Sequence, residues 1–310
     1  MKDFQGKTAF ITGGASGIGL GIAKVFVKNG MQVVIADKRQ YALDDAMNWF
    51  RKNGGNVYPL KLDVTDREAY ARAADEAEKV FGKIHILVNN AGVGAGGPLE
   101  ELTYNDWDYG MSVNIGGVIN GIMTVVPRII KHGEGGHVVA TSSTCGLMGT
   151  PGMSVYCTTK YAVCGLMESI AGELYEKNIG VSILIPGLTA TDLGRSTFEN
   201  RPANLRNEGE TWPPPPKEGE KSHSPDDIRE FIMDPVETGE RVMRGIRNTD
   251  LFIVTHPEWK AGFQSRNDAV IRACPDEPRN EKRWNIFMGF GKVIYNDIYD
   301  RQQQVGPPDW

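Results

Sequence analysis

The chain has 310 residues, 40% of them hydrophobic, enough apolar material for one large α/β domain or two small ones. Lys and Arg number 34 against 39 Asp and Glu, a formal charge of −5, so no basic excess marks a nucleic-acid surface. Cys145, Cys157, Cys164 and Cys274 form no C-x-x-C pair and the five histidines form no H-E-x-x-H, which argues for thiols in a reducing compartment and against a protein-held metal.

The opening stretch MKDFQGKTAFITGG runs straight into a strand, TAFIT (8–12), and a glycine loop. No signal peptide fits there, and no apolar run reads as long enough to span a membrane, so a cytoplasmic protein without membrane or nucleic-acid partners is expected. The loop TGGASGIG (12–19) precedes the amphipathic stretch IGLGIAKVFVKNG. Gly13, Gly17 and Gly19 sit where the chain must turn tightly and let phosphates approach its backbone, and the helix N-terminus then offers free N–H groups to a pyrophosphate. The spacing is G-x-x-x-G-x-G, not the G-x-G-x-x-G of the common dinucleotide fingerprint, and no Gly-Lys-Ser/Thr follows to make a P-loop.

QVVIAD (32–37) reads as the second strand. Asp37 at its end is placed to accept both hydroxyls of an adenosine ribose, or to cap the next helix. VYPLKLDV (57–64) is the third; Asp63 near its end meets an adenine edge or serves as a turn residue. DREAYARAADEAEKVFG then has helical spacing. IHILVNN (84–90), HVVATSS (137–143) and GVSILIPG (180–187) complete a series of runs that are apolar on both faces, as in a buried parallel sheet. The repeated β-α-β pattern predicts an α/β fold with a doubly wound, Rossmann-type parallel sheet of about seven strands and helices on both faces.

Beyond residue 190 the texture changes. Residues 191–234 are polar, and the proline run WPPPP (212–216) reads as an extended loop, either a flap or a surface bystander. Asp234-Pro235-Val236-Glu237 reads as a helix start with cap, Pro at N1 and Glu at N3. LFIVT (251–255) is a candidate last strand, and 257–310 reads as a helical extension. Its aromatics, Trp259, Phe263, Trp284, Phe287, Phe290 and Trp310, are expected to pack against the main body.

YCTTK (156–160) puts Tyr156 and Lys160 on one helix face. Alone, that pair is an ordinary helix surface as readily as a base and its activator. TGGASGIG, NNAG (89–92), Asn114, Ser143, YCTTK and PGLTAT (186–191), in this order, resemble the short-chain dehydrogenases/reductases of the single-domain kind over about residues 5–255. In its general layout (the MKDFQGKTAFITGG start, YARAADE, GGVINGIMTVVPR, FIVTHPE) the chain also resembles dehydrogenases acting on benzylic alcohols of lignin-type aryl ethers.

The resemblance implies roles. Tyr156 is the catalytic acid/base, Lys160 its activator and Ser143, rather than the adjacent Ser142, the holder of the substrate oxygen. Asn114 anchors a water that relays protons to Lys160. Gly13, Ser16, Gly17, Ile18, Gly19, Asp37, Asp63, Val64, Asn90, Ala91 and Gly92 cradle the dinucleotide. Tyr156, Lys160, Pro186, Gly187, Thr189 and Thr191 lie at its nicotinamide end, although Thr191 also reads as a cap and Asn90 as a strand-end polar group. Lowering a phenol from about 10 to about 7 needs roughly 4 kcal/mol, which a neighbouring ammonium and a positive nicotinamide ring would share. The expected activity is hydride transfer between a secondary alcohol or ketone and NAD, which Asp37 favours over NADP. Lys38 and Arg39 keep an NADP-dependent carbonyl reductase open, and a non-catalytic dinucleotide-binding regulator is the reading from a different class. Residues 191–234 are expected to close over an apolar, aromatic-accepting substrate cleft, and a homodimer or homotetramer is implied.

Overall fold

The computed structural model describes residue 1 and residues 3–213, 232–291 and 296–305. The apolar runs form seven strands: β1 (Thr8–Thr12), β2 (Gln32–Asp37), β3 (Asn56–Lys61), β4 (Ile86–Asn89), β5 (Gly136–Thr141), β6 (Ile179–Ile185) and β7 (Phe252–Val254). They pair in the order β3-β2-β1-β4-β5-β6-β7, all parallel. Period-two alternation splits each strand between two cores. Phe10 and Val34 face one, with helices α3 (Arg67–Phe81), α5 (Gly117–His132) and α6 (Ser154–Tyr175). Ala9, Ile11, Val33 and Ile35 face the other, with α1 (Gly17–Lys28), α2 (Gln40–Asn53) and α8 (Pro235–Asn248). This is the doubly wound, Rossmann-like sheet that the pattern predicts.

Several strands end earlier than their apolar runs. β3 stops at Lys61, β4 at Asn89, β5 at Thr141 and β6 at Ile185. Leu62–Val64, Asn90, Ser142 and Pro186, read as strand, leave the sheet and line the crevice at its carboxyl edge. α8 starts as expected: the Asp234 carboxylate accepts from Val236 N at 2.6 Å and Pro235 opens the first turn. Glu237 does not reach back to the cap; it pairs with Arg241 at 2.7 Å.

Three expectations are corrected. The polar segment after 190 contains a helix, α7 (Leu193–Asn200), held partly by the Arg195–Glu199 ion pair one turn apart at 2.6 Å. Of its proline run, residues 214–216 lie outside the described residues. The helical extension forms as α9 (Lys260–Arg272) and α10 (Glu281–Gly289), yet neither helix buries a residue. Phe263 touches the core, whereas Phe287 and Phe290 are exposed, and Trp310 lies outside the described residues. The reason is that the sheet surface is already taken: a 3-10 turn at Asp297–Arg301 buries Ile298, stacks Tyr299 on Phe252 and lays Arg301 over Tyr175. Third, one continuous helical rod, Tyr104–His132, is long and apolar enough by composition to cross a membrane. It combines α4 (Tyr104–Met111), a π-turn (Ser112–Gly116) and α5, and it seats Val118, Val125 and Ile129 in the core.

α1 and α8 cross in close backbone contact. A Cβ at Gly21 would lie 2.0 Å from the Pro235 carbonyl oxygen, and one at Gly239 would lie 2.7 Å from the Gly21 carbonyl oxygen. Gly21→Ala must therefore push the helices apart, and we expect a loss of about 1–3 kcal/mol in thermal or urea unfolding. Gly149→Ala, with nothing within 4 Å of the new carbon, is the control and should leave the midpoint unchanged. Equal midpoints for the two variants would show that the crossing is not tight.

Candidate active site

Strand order reverses between β1 and β4, so the connections leaving these strands diverge and a crevice of about 330 Å³ opens at their carboxyl ends. Gly13, Ser16, Gly17, Ile18, Asp37, Asp63, Val64, Asn90, Ala91, Gly92, Tyr156, Lys160, Pro186 and Thr191 all line it. Gly19, Asn114, Ser143, Gly187 and Thr189 are not among the residues that line it.

The glycine loop is built for close approach. Gly13 (φ +62) and Gly17 (φ +48) take left-handed backbone, and a Cβ at Gly19 would sit 2.2 Å from the Gly13 carbonyl oxygen. Ser16 is the N-cap of α1, and its side chain makes no cap bond, so it does not take up the first-turn N–H groups. Asn90 fixes the loop against the sheet: its amide donates to the carbonyls of Thr12 (3.1 Å) and Gly13 (3.3 Å), and its Oδ1 accepts from Thr141.

At the β2 end, the N-cap of α2 is Arg39, not Asp37. The Asp37 carboxylate accepts from Arg39 N at 3.0 Å, Nε at 3.1 Å and Nη2 at 3.2 Å. Arg39 Nη2 also donates to Ser16 Oγ at 2.7 Å. Lys38 pairs with Asp63 at 2.8 Å, and the other Asp63 oxygen accepts from Thr65 N and Oγ1. Burial acts to raise the Asp63 carboxyl, but Lys38 and the Thr65 bonds outweigh it and hold it below its ordinary value. Each cation read as a phosphate partner thus already has a carboxylate.

At the other end, α6 carries Tyr156 and Lys160 on one face, with the ammonium 5.4 Å from the Tyr156 ring centroid. Lys160 Nζ donates to the Thr141 carbonyl at 2.9 Å. Ser143 Oγ lies beside the Tyr156 hydroxyl, on which it has a lowering effect, and accepts from Cys145 N at 3.2 Å. Ser142 faces away, donating to the Lys160 carbonyl at 2.9 Å and accepting from the Cys164 thiol. Asn114 sits in the π-turn, and its side chain is fully engaged: Oδ1 accepts from Val93 N, and Nδ2 donates to Val93 O and Thr159 Oγ1.

Burial dominates at both Tyr156 and Lys160. It pushes the Tyr156 phenol up to about 12, against the lowering effect of Ser143. It pulls the Lys160 ammonium down to about 8. The protein's own groups thus move the phenol in the direction opposite to the expected fall.

The sequence reading missed two contacts at the nicotinamide-end loop and beside it. Gly187 N donates to Thr255 Oγ1 and His256 Nδ1, both at 3.2 Å, and His256 Nε2 donates to the Leu188 carbonyl at 3.1 Å. A Cβ at Gly187 would meet the His256 ring at 2.8 Å. The signal was a histidine directly after the last strand. The other miss, Thr141, acts through its backbone carbonyl and has no side-chain signature.

A crevice at the carboxyl ends of the strands, where the strand order reverses, is the place at which doubly wound folds bind nucleotides. The sequence model of the short chain dehydrogenases matches residues 7–202, and the chain belongs to that family. It is 40% identical to the C alpha-dehydrogenase of Sphingobium sp. (strain NBRC 103272 / SYK-6) over 94% of this chain and 95% of that one. The apo form of LigO from Sphingobium sp. strain SYK-6 superposes with a TM-score of 0.76 at 41% identity, covering 96% of this chain and 100% of LigO. A short chain dehydrogenase/reductase of Burkholderia phymatum in complex with NAD superposes with a TM-score of 0.78 at 31% identity, covering 90% and 100%.

Lys160 should cost stability in a pH-dependent way. Its folded value near 8 lies below the ordinary 10.5, so between these values the unfolded chain holds more protons and stability rises with pH. Below pH 8 the buried charge costs on the order of 3 kcal/mol. Lys160→Met should therefore be more stable than wild type at pH 7, with the gain shrinking as pH rises from 8 towards 10.5. Urea titrations across that range test this; a pH-independent loss would show that the Thr141 hydrogen bond fully compensates the charge.

Proposed function

We propose that the chain is an NAD-dependent dehydrogenase that moves hydride between a secondary alcohol, benzylic in class, and its ketone. The observation that carries this reading is the Ser143–Tyr156 hydroxyl pair beside the Lys160 ammonium, at one end of the crevice whose other end holds the glycine loop and Asp37. The residues fit a dinucleotide. Gly13, Gly17 and Gly19 let the loop fold tightly, since a Cβ at each would meet Ala91, Thr191 or the Gly13 carbonyl, and the α1 N-terminus behind it offers its free N–H groups to a pyrophosphate; Asp37 lies at the β2 end for a ribose. Val64 and Asp63 border the adenine position, and Pro186 and Thr191 the nicotinamide position. The Burkholderia phymatum relative is described in complex with NAD.

The cofactor supplies the hydride acceptor or donor and, when oxidised, a positive ring. The chain's residues handle the proton. Ser143 and the Tyr156 hydroxyl together hold the substrate oxygen. In reduction the phenol gives its proton to the developing alkoxide. In oxidation the phenolate takes it, and Lys160, donating to Thr141, holds positive charge beside it. Asn114 has its side chain committed to Val93, so any relay role rests on its backbone.

The benzylic class follows the C alpha-dehydrogenase likeness. Apolar neighbours at this end support it: Met153 Sδ stands beside Gly96, Leu193 beside Gly94 and Trp212 beside Gly194. A second reading, NADP, is favoured by the Arg39 guanidinium beside Ser16. Asp37 opposes it, because its carboxylate would face a 2′-phosphate. We also read the exposed Met111, Ile119, Met123 and Ile130 of the long rod as a self-association face, giving a homodimer or homotetramer.

Tyr156→Phe keeps the ring and removes the proton. Turnover should fall at least about a hundredfold, while NADH binding, followed by fluorescence, persists. With a phenol held near 12 by burial, kcat/KM for ketone with NADH should be flat through neutral pH. For alcohol with NAD it should climb about tenfold per pH unit below the phenol's value in that complex. Near-normal turnover by the Phe variant would end this mechanism. For cofactor choice, wild type should prefer NAD, and Asp37→Ala, which frees Arg39, should narrow or reverse the ratio of kcat/KM values. A wild type that prefers NADP would show that the basic pair wins.

A further inference from the structure

The segment after β6 does more than border a substrate. It borders the crevice from Thr191 through α7, where Leu193 and Ser196 line it, and on to Asn200, Pro202, Asn204 and Leu205, which share the lining with Lys38, Arg39, Asp63 and Val64. It is tied at every stage. On α7, Thr197 Oγ1 accepts from Gly94 N at 2.7 Å, and the Thr197 carbonyl accepts from the Tyr109 hydroxyl at 2.9 Å. At the β2 end, Tyr41 donates to Glu199 at 2.6 Å and Lys38 to the Asn200 carbonyl at 3.4 Å. Beyond this, the buried Arg201 guanidinium reaches Asp106 at 2.8 Å and Glu210 at 3.3 Å, and it donates to the Leu205 carbonyl at 2.7 Å. Asn207 donates to both Asp106 oxygens at 3.0 Å.

Resting on the dinucleotide reading above, we propose that residues 199–205 are a wall of the adenosine subsite, latched to the start of the long rod by Arg201 on Asp106. The wall spans a groove whose floor is the ends of β2 and β3. A dinucleotide under a strap tied on both sides leaves only when one set of ties opens. The strap therefore governs the release of the cofactor's adenosine half, and not only access of the alcohol. A lid confined to the substrate would touch the Tyr156 end and leave the Asp37–Asp63 end open; here the strap's last residues lie at that open end.

ADP-ribose, which carries the adenosine half without nicotinamide, is the discriminating probe. Its affinity is measured by calorimetry, and NADH dissociation by stopped-flow fluorescence, in wild type, Arg201→Met and Tyr41→Phe. Arg201→Met should weaken ADP-ribose and speed NADH release by at least about tenfold, the scale of opening a buried ion pair. Tyr41→Phe, which removes an exposed phenol with its bond to Glu199 and its contact with Arg39, should move both readouts the same way by a smaller factor. It decides the matter if the Arg201 variant does not fold. Unchanged ADP-ribose affinity and NADH release in the folded variants, with a changed alcohol KM, would make the strap a substrate lid and overturn the proposal. Wild type that binds ADP-ribose yet turns over no alcohol would sink the catalytic reading alone. Wild type that binds neither ADP-ribose nor NADH would sink both.

Discussion

Everything at the crevice depends on the junction where β1 and β4 part. Two neighbouring parallel strands send their connections in opposite directions, and their ends would splay without a cross-tie. Asn90 supplies it, with its amide on the Thr12 and Gly13 carbonyls and its oxygen on Thr141. Thr12 Oγ1 returns the contact by accepting from Asn90 N and Ala91 N. One side chain thereby registers the glycine loop, the end of β4 and the end of β5. Thr141 is also the residue whose carbonyl receives Lys160. The glycine-loop end and the Lys160 end of the crevice are thus set by the same few hydrogen bonds.

The two ends manage charge differently. Around β2 and β3 the cations and carboxylates are matched in pairs at contact distance, Arg39 with Asp37 and Lys38 with Asp63. Such pairs hold geometry and keep the local field small. On α6 the Lys160 ammonium makes no ion pair with a carboxylate among the described residues, and desolvation shifts both it and the Tyr156 phenol towards their neutral forms. A neutral phenol beside an ammonium held at some cost is an environment in which added positive charge has a large effect.

Much of this was legible in the sequence where a local pattern and a global role coincide. Strand positions followed from apolar runs, and Tyr156 and Lys160 shared a face because helical spacing requires it. The strand ends were misread because the residues that leave the sheet to line the crevice, such as Leu62 and Val64, are as apolar as those that stay. α7 was invisible because its residues are polar and its anchors, Gly94, Tyr109 and Tyr41, are remote in the chain. The charges at 37–39 were readable, but not which carboxylate each cation would choose. The exposed Phe287 and Phe290 show a different limit. Composition marks a residue as able to bury, and only the fold shows whether any uncovered core surface remains for it.

The grip of Thr255 and His256 on Gly187 changes where the scaffold ends. By strand count the sheet is complete at Val254, and the chain beyond it reads as an appendage. Yet both acceptors of the Gly187 N–H lie past that point, and His256 also holds the Leu188 carbonyl. A chain cut after β7 would keep every strand and lose the clamp on the loop that follows β6. The segment past the last strand therefore belongs to the scaffold at the carboxyl edge of the sheet, and its trimming would be felt at the crevice rim, where Pro186 sits.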